Sequence, residues 1–119
     1  MAAPTIGQTA ERERIAFTVV GGGSAGLFLS DIDGQNERPL VPPGDEYNAS
    51  FSADGQWIVF TSERAGSADI YRVHADGTGL QRLTDSTNYD DQAVLSPDGG
   101  TLAFVSTRDT APLIFGFSI

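Results

Sequence analysis

Three short runs of β-branched and aromatic residues carry a phenylalanine in the same phase: Ile15-Ala16-Phe17-Thr18, Ile58-Val59-Phe60-Thr61 and Leu102-Ala103-Phe104-Val105. Phe17, Phe60 and Phe104 lie 43 and 44 positions apart. Phe28, Tyr71 and Phe115 each follow one of them by eleven positions. Such runs, bounded by turn residues, predict strands rather than helices. The fixed offset of eleven places each aromatic pair side by side on neighbouring strands, where cross-strand pairs stabilise a sheet. Turn signals recur in step. Ser52-Ala53-Asp54-Gly55 returns as Ser96-Pro97-Asp98-Gly99, and Asp33-Gly34 returns as Asp76-Gly77. Asp-Gly marks a tight hairpin whose turn needs positive φ. In the complete middle unit the expected strands are Tyr47–Ser52, Trp57–Ser62, Asp69–Ala75 and Leu80–Thr84, termed A, B, C and D.

Four short strands in a unit of roughly 40–45 residues are the mark of a propeller blade. The order along the chain is B-C-D, then A-B-C-D, then A-B-C, about 2.7 units. The expected fold is all-β: four-stranded antiparallel meanders forming an incomplete ring of about 2.5–3 blades. A loose tail at 1–11 precedes blade 1, which spans 12–46 without strand A. Blade 2 spans 47–84, and blade 3 spans 85–119 without strand D. Closed propellers take about 4–8 blades, so this chain calls for the remaining blades of a propeller or for a homo-oligomer. Its last expected strand, Leu113–Ile119, is apolar, and an unpaired edge of that kind invites association.

The run from Phe51 through Ser52-Ala53-Asp54-Gly55-Gln56-Trp57-Ile58-Val59-Phe60 to Arg64, with Asp69-Ile70-Tyr71, Asp76-Gly77 and Gln81-Arg82-Leu83-Thr84, resembles the TolB-type β-propeller repeat. Leu95 to Phe104 resembles it again. The first unit departs most, with Val19-Val20-Gly21 where Ser62-Glu63-Arg64 stands later. The resemblance implies a non-catalytic scaffold that binds proteins or ligands, in the periplasm or another extracytoplasmic space. Related propellers cap the active site of prolyl-oligopeptidase-like hydrolases, which is the alternative reading. Fold is carried further than function by such a likeness.

Charge narrows the partners. Net charge is −9, with no lysine and seven arginines, so a nucleic-acid partner is not expected. No run is apolar and long enough for a transmembrane segment, and Met1 to Ala10 does not read as a signal peptide. Without cysteine there is no thiolate chemistry and no disulfide to report the redox compartment.

Several motifs imitate chemistry. Gly21-Gly22-Gly23-Ser24-Ala25-Gly26 fits G-x-G-x-x-G and would suit a nucleotide-binding oxidoreductase, provided a helix opens after it. The repeat instead places it at the B–C hairpin. The same glycines centre a G-x-S-x-G on Ser24, and the chain has a single histidine, His74, on an expected C strand. A nucleophile elbow also needs a strand–turn–helix, so no catalytic residue is expected. Asp31-x-Asp33-Gly34 is part of a calcium loop at most, and a hairpin turn capped by an Asx side chain accounts for it. No metal site and no cofactor are implied. The B–C and D–A loops share one end of the blades, and loops on a rigid scaffold carry binding. Partner-binding is therefore expected of Tyr47, Arg64, Tyr89, Asp90, Asp91 and Arg108. The competing expectation has the tyrosines and aspartates pair with Arg64 and Arg108 across blades.

Overall fold

The computed structural model describes residues 13–85 and 87–107 and the backbone of 113–118. The 1–11 tail and Arg108 lie outside the described residues. Ten strands fall in three antiparallel sheets among these residues. Blade 1 is β1 (Arg14–Gly21), β2 (Ser24–Asp31) and β3 (Arg38–Pro39). Blade 2 is β4 (Glu46–Phe51), β5 (Trp57–Ser62), β6 (Asp69–His74) and β7 (Gln81–Arg82). Blade 3 is β8 (Asp90–Leu95), β9 (Thr101–Ser106) and β10 (Leu113–Ser118). The strands occur in the order that the repeat predicts. Strand D is the main difference in extent: it pairs over two residues, Gln81 and Arg82, rather than over Leu80–Thr84.

Register bears out the aromatic phase. Phe17 stands opposite Phe28, Phe60 opposite Tyr71 and Phe104 opposite Phe115. The first two ring pairs stack with centroids 6.0 and 5.9 Å apart. Alternation along each strand then sends side chains to two neighbours. One core joins blades 1 and 2 through Leu27, Leu29, Ile58, Phe60, Tyr71 and Val73. A second joins blades 2 and 3 through Val59, Ile70, Ala93, Leu102 and Phe104. Burying one such side chain fully stabilises the fold by about 1.5–3 kcal/mol. Polar ties cross the same boundaries. Arg14 donates to the Gly55 carbonyl at 2.8 Å, and the Asp90 amide donates to the Ala68 carbonyl at 2.9 Å.

The Asp-Gly turns work differently from the simple expectation. Only their glycines, Gly34, Gly55, Gly77 and Gly99, have positive φ. Each aspartate instead accepts the amide two residues on: Asp33 from Gln35, Asp54 from Gln56, Asp76 from Thr78 and Asp98 from Gly100, all at 2.9–3.0 Å. These are Asx turns, in which the side chain replaces a backbone turn acceptor. A serine completes the A–B version. Ser52 donates to Asp54 at 2.7 Å and accepts the Trp57 amide at 3.0 Å, and Ser96 does the same with Asp98 and Thr101.

The two-residue turn with both φ positive is Gly22-Gly23, at 62° and 83°. That geometry matches the twist of the flanking strands and joins β1 to β2 directly. β2 begins at Ser24, where a dinucleotide fingerprint would require a helix to be forming. The nucleotide-binding oxidoreductase reading is thereby overturned. Ser24 opens a strand at the B–C end of blade 1, and His74 closes one at the C–D end of blade 2. No nucleophile–base pair is formed from them.

Candidate functional site

The inner strand of each later blade is irregular at the same place. Register shifts between Tyr47 and Ser50 in β4 and between Asp91 and Val94 in β8. The bulged residues, Asn48 and Gln92, have φ of 55° and 57°. A bulge re-aims side chains, and non-glycine residues in this region store strain that the surroundings must hold. Here the bulge brings blade 2 to blade 3. Asn48 donates to both carboxylate oxygens of Asp91, at 3.0 and 3.2 Å. Thr61 donates to Asp91 at 2.7 Å, and the Gln92 amide donates to it at 2.7 Å.

Two tyrosines extend this network outward. Tyr89 Oη donates to Asp91 at 3.1 Å and lies 3.4 Å from Tyr47 Oη. Tyr47 Oη donates to Glu63 at 2.8 Å. Burial first, then the bonds to Tyr89 and Glu63, hold the Tyr47 phenol well above its ordinary range. It therefore stays a protonated donor. Tyr89 is exposed, so the network ends on an accessible aromatic ring.

The structure thus brings Tyr47, Tyr89 and Asp91 together and leaves two other expected residues out. Asp90 is fully buried and accepts from Ser106. Arg64 does not cross to blade 3. It pairs with the buried Glu46 of its own blade at 3.0 Å, donates to the Pro42 carbonyl at 2.9 Å and lies over the Tyr71 ring. Glu46 also accepts from Ser62 at 2.8 Å and from the Gly44 amide at 2.9 Å. The expectation that Arg64 pairs with the tyrosines and aspartates across blades is corrected: a nearer carboxylate, one strand away in its own sheet, takes the charge. Sequence reasoning missed Glu63 and Asn48. Glu63 stands just past strand B, and Asn48 sits in a bulge that no periodicity announces.

At the opposite end of the blades lies a cleft of about 370 Å³, lined by Arg14, Gly55, Gln56, His74, Ala75, Asp76 and Thr78. His74 stacks on Trp57 with centroids 3.7 Å apart, and Arg72 lies over the same indole at 4.2 Å. The histidine is a packing residue on the blade surface.

A family model described as the TolB beta propeller domain matches residues 3–118. An uncharacterized protein of Agrobacterium fabrum is 38% identical over 81 residues, which is 67% of this chain and 28% of that protein. The Tol-Pal system protein TolB of Desulfosudis oleivorans is 36% identical over 62 residues, 51% of this chain and 14% of that protein. A crystal structure of TolB from Acinetobacter baumannii superposes with a TM-score of 0.76 at 25% identity, over 90% of this chain and 27% of that one. The chain therefore spans little more than a quarter of these relatives at most.

Proposed function

The chain belongs to the TolB β-propeller family, and we propose that it acts as a non-catalytic scaffold that binds a protein partner at the blade 2–blade 3 junction. The observation that carries this reading is the Tyr47–Tyr89–Asp91 network, which fixes an exposed tyrosine at the inner rim. A rigid aromatic with a polar tip gains contact area on binding at little entropic cost. The exposed Glu63 beside it suits a partner that offers a basic side chain. Since one relative is a Tol-Pal system protein, the proposed partner is the Pal protein of the same envelope system, and the proposed compartment is the periplasm.

Calorimetric titration of the chain with soluble Pal tests the reading. Tyr89→Ala is expected to weaken binding by ten-fold or more while leaving the thermal transition in place. Equal affinity of the parent and Tyr89→Ala for Pal sinks the proposed site. The non-catalytic part has its own test. Ester and peptide turnover that vanishes in Ser24→Ala or His74→Ala would overturn it.

A further inference from the structure

We propose that Asp33 is a modification site: in the folded chain the Asp33-Gly34 pair isomerises to isoaspartate several-fold faster than the other Asp-Gly pairs, and the product is a substrate for a methyltransferase that recognises isoaspartyl carboxylates. The pairs are Asp33-Gly34, Asp54-Gly55, Asp76-Gly77 and Asp98-Gly99. In each, the glycine amide nitrogen can attack the aspartate Cγ, because glycine has no Cβ to obstruct the approach. A C–N bond forms, water leaves with one carboxyl oxygen, and a five-membered succinimide results. Water then adds to the ring carbonyl on the Cα side and breaks its bond to nitrogen. The Cγ stays linked to the glycine and the α-carboxyl is set free, with no net change in mass.

All four aspartates are exposed, and all four glycine amides donate to a carbonyl: Gly34 to Asp31, Gly55 to Ser52, Gly77 to His74 and Gly99 to Ser96, at 2.8–3.0 Å. Access and amide bonding therefore do not separate them. Anchoring of the carboxylate does, since attack needs the Cγ to swing out of its turn onto the nitrogen. A hydroxyl donates to three of the carboxylates besides the amide two residues on: Ser52 to Asp54 at 2.7 Å, Thr78 to Asp76 at 2.6 Å and Ser96 to Asp98 at 2.6 Å. Bonds of this kind, to a charged acceptor, are strong and must break before the Cγ moves. At Asp33 the place of Thr78 is taken by Gln35. Its amide donates to Asp33 at 2.9 Å, and among the described residues no hydroxyl joins it. The same three hydroxyls lead in holding Asp54, Asp76 and Asp98 below the ordinary carboxyl range, which lowers the share of neutral acid from which water departs. The glycine side differs as well. A Cβ at Gly34 would meet no atom within 4 Å, whereas Gly55 has Arg14 bonded to its carbonyl and a Cβ at Gly77 would stand 3.1 Å from the Leu40 carbonyl oxygen. Gly99 shares the freedom of Gly34, but Ser96 anchors its aspartate. The Asp33 turn alone combines the looser carboxylate with room to rearrange. It lies at the C–D end of blade 1, apart from the rim proposed to bind Pal.

Prolonged warming of the folded chain in neutral buffer, below its melting transition, tests this. Cleavage after arginine and glutamate puts each pair in its own peptide: 15–37, 47–63, 73–82 and 83–108. Isoaspartate is read in each as a shifted retention at unchanged mass, and as methyl groups accepted from S-adenosylmethionine through an isoaspartyl methyltransferase. Peptide 15–37 is expected to carry several-fold more than any other. Gln35→Thr gives Asp33 the hydroxyl that Asp76 has, and should bring 15–37 down to the level of the rest. Ser96→Ala should raise 83–108 towards it. In urea, all four peptides should gain isoaspartate alike. Isoaspartate absent from 15–37, spread evenly over the four peptides of the folded chain, or concentrated in another one overturns the proposal. So does an excess in 15–37 that survives Gln35→Thr or persists in urea, because the sequence around Asp33 and not its missing hydroxyl would then set the rate.

Discussion

Asn48 of blade 2 holds Asp91 of blade 3 by both carboxylate oxygens, from a backbone bent to a φ of 55°. The strain and the hydrogen bonds belong together, because the bulge is what aims the amide across the blade boundary. Asn48→Leu removes the donor and puts a less tolerant residue at positive φ. It should destabilise the chain by about 1–3 kcal/mol. Asn48→Gly also removes the donor but relieves the backbone, and should cost less. Urea unfolding of the two variants checks the order; an equal loss means the strain is not held by this contact.

Arg64 is expected to be a stability residue. Its removal leaves Glu46 buried with only the neutral donors Ser62 and Gly44. Arg64→Ala should cost about 3 kcal/mol, the scale for breaking a buried pair from one side. The exposed Arg38, which donates to the Asn36 carbonyl, should cost within about 0.5 kcal/mol when changed to alanine. Denaturant midpoints for the two variants measure the contrast.

The turn aspartates set an acid limit. The Ser52 hydroxyl first and the Gln56 amide second lower the Asp54 carboxyl, and Ser96 and Gly100 do the same for Asp98. The Thr78 hydroxyl and amide lower Asp76. A carboxyl lowered on folding contributes stability that is complete above its unfolded value of about 3.9. That contribution is lost as pH falls through the lower folded value. Melting temperature should therefore hold against these groups down to about pH 4 and decline below it. Asn at 54, 76 and 98 together should flatten that part of the decline.

Gly79 is expected to be the least replaceable turn glycine. Its φ is 73°, and an added Cβ would stand 2.6 Å from the His74 ring. Gly79→Ala should destabilise by more than about 1 kcal/mol, since alanine is misplaced at positive φ and must also push the ring from Trp57. Gly22→Asn should be tolerated within about 0.5 kcal/mol. No atom approaches a Cβ at Gly22 within 4 Å, and Asn-Gly is a favoured pair for its turn. Differential scanning of both variants provides the comparison.

What the sequence by itself determined is the repeat and everything that follows from its phase. Phe17, Phe60 and Phe104 mark strand B, their partners eleven positions on mark strand C, and the Asp-Gly pairs mark the hairpins, because strand alternation and turn chemistry are local. The same phase spoke against the Gly21–Gly26 fingerprint by placing it at the B–C hairpin, and β2, which begins at Ser24, leaves no room for a helix there. The inner rim was legible only in part. Tyr47, Tyr89 and Asp91 could be placed at one end of the blades, but which groups meet there depends on how far neighbouring blades rotate and where β4 and β8 bulge. Only the tertiary structure decided that Asn48 rather than an arginine holds Asp91, and that Arg64 turns back to Glu46. A buried carboxylate binds the nearest donors that packing supplies, from its own sheet for Glu46 and from the neighbouring blade for Asp91, and those distances are not set by spacing along the chain.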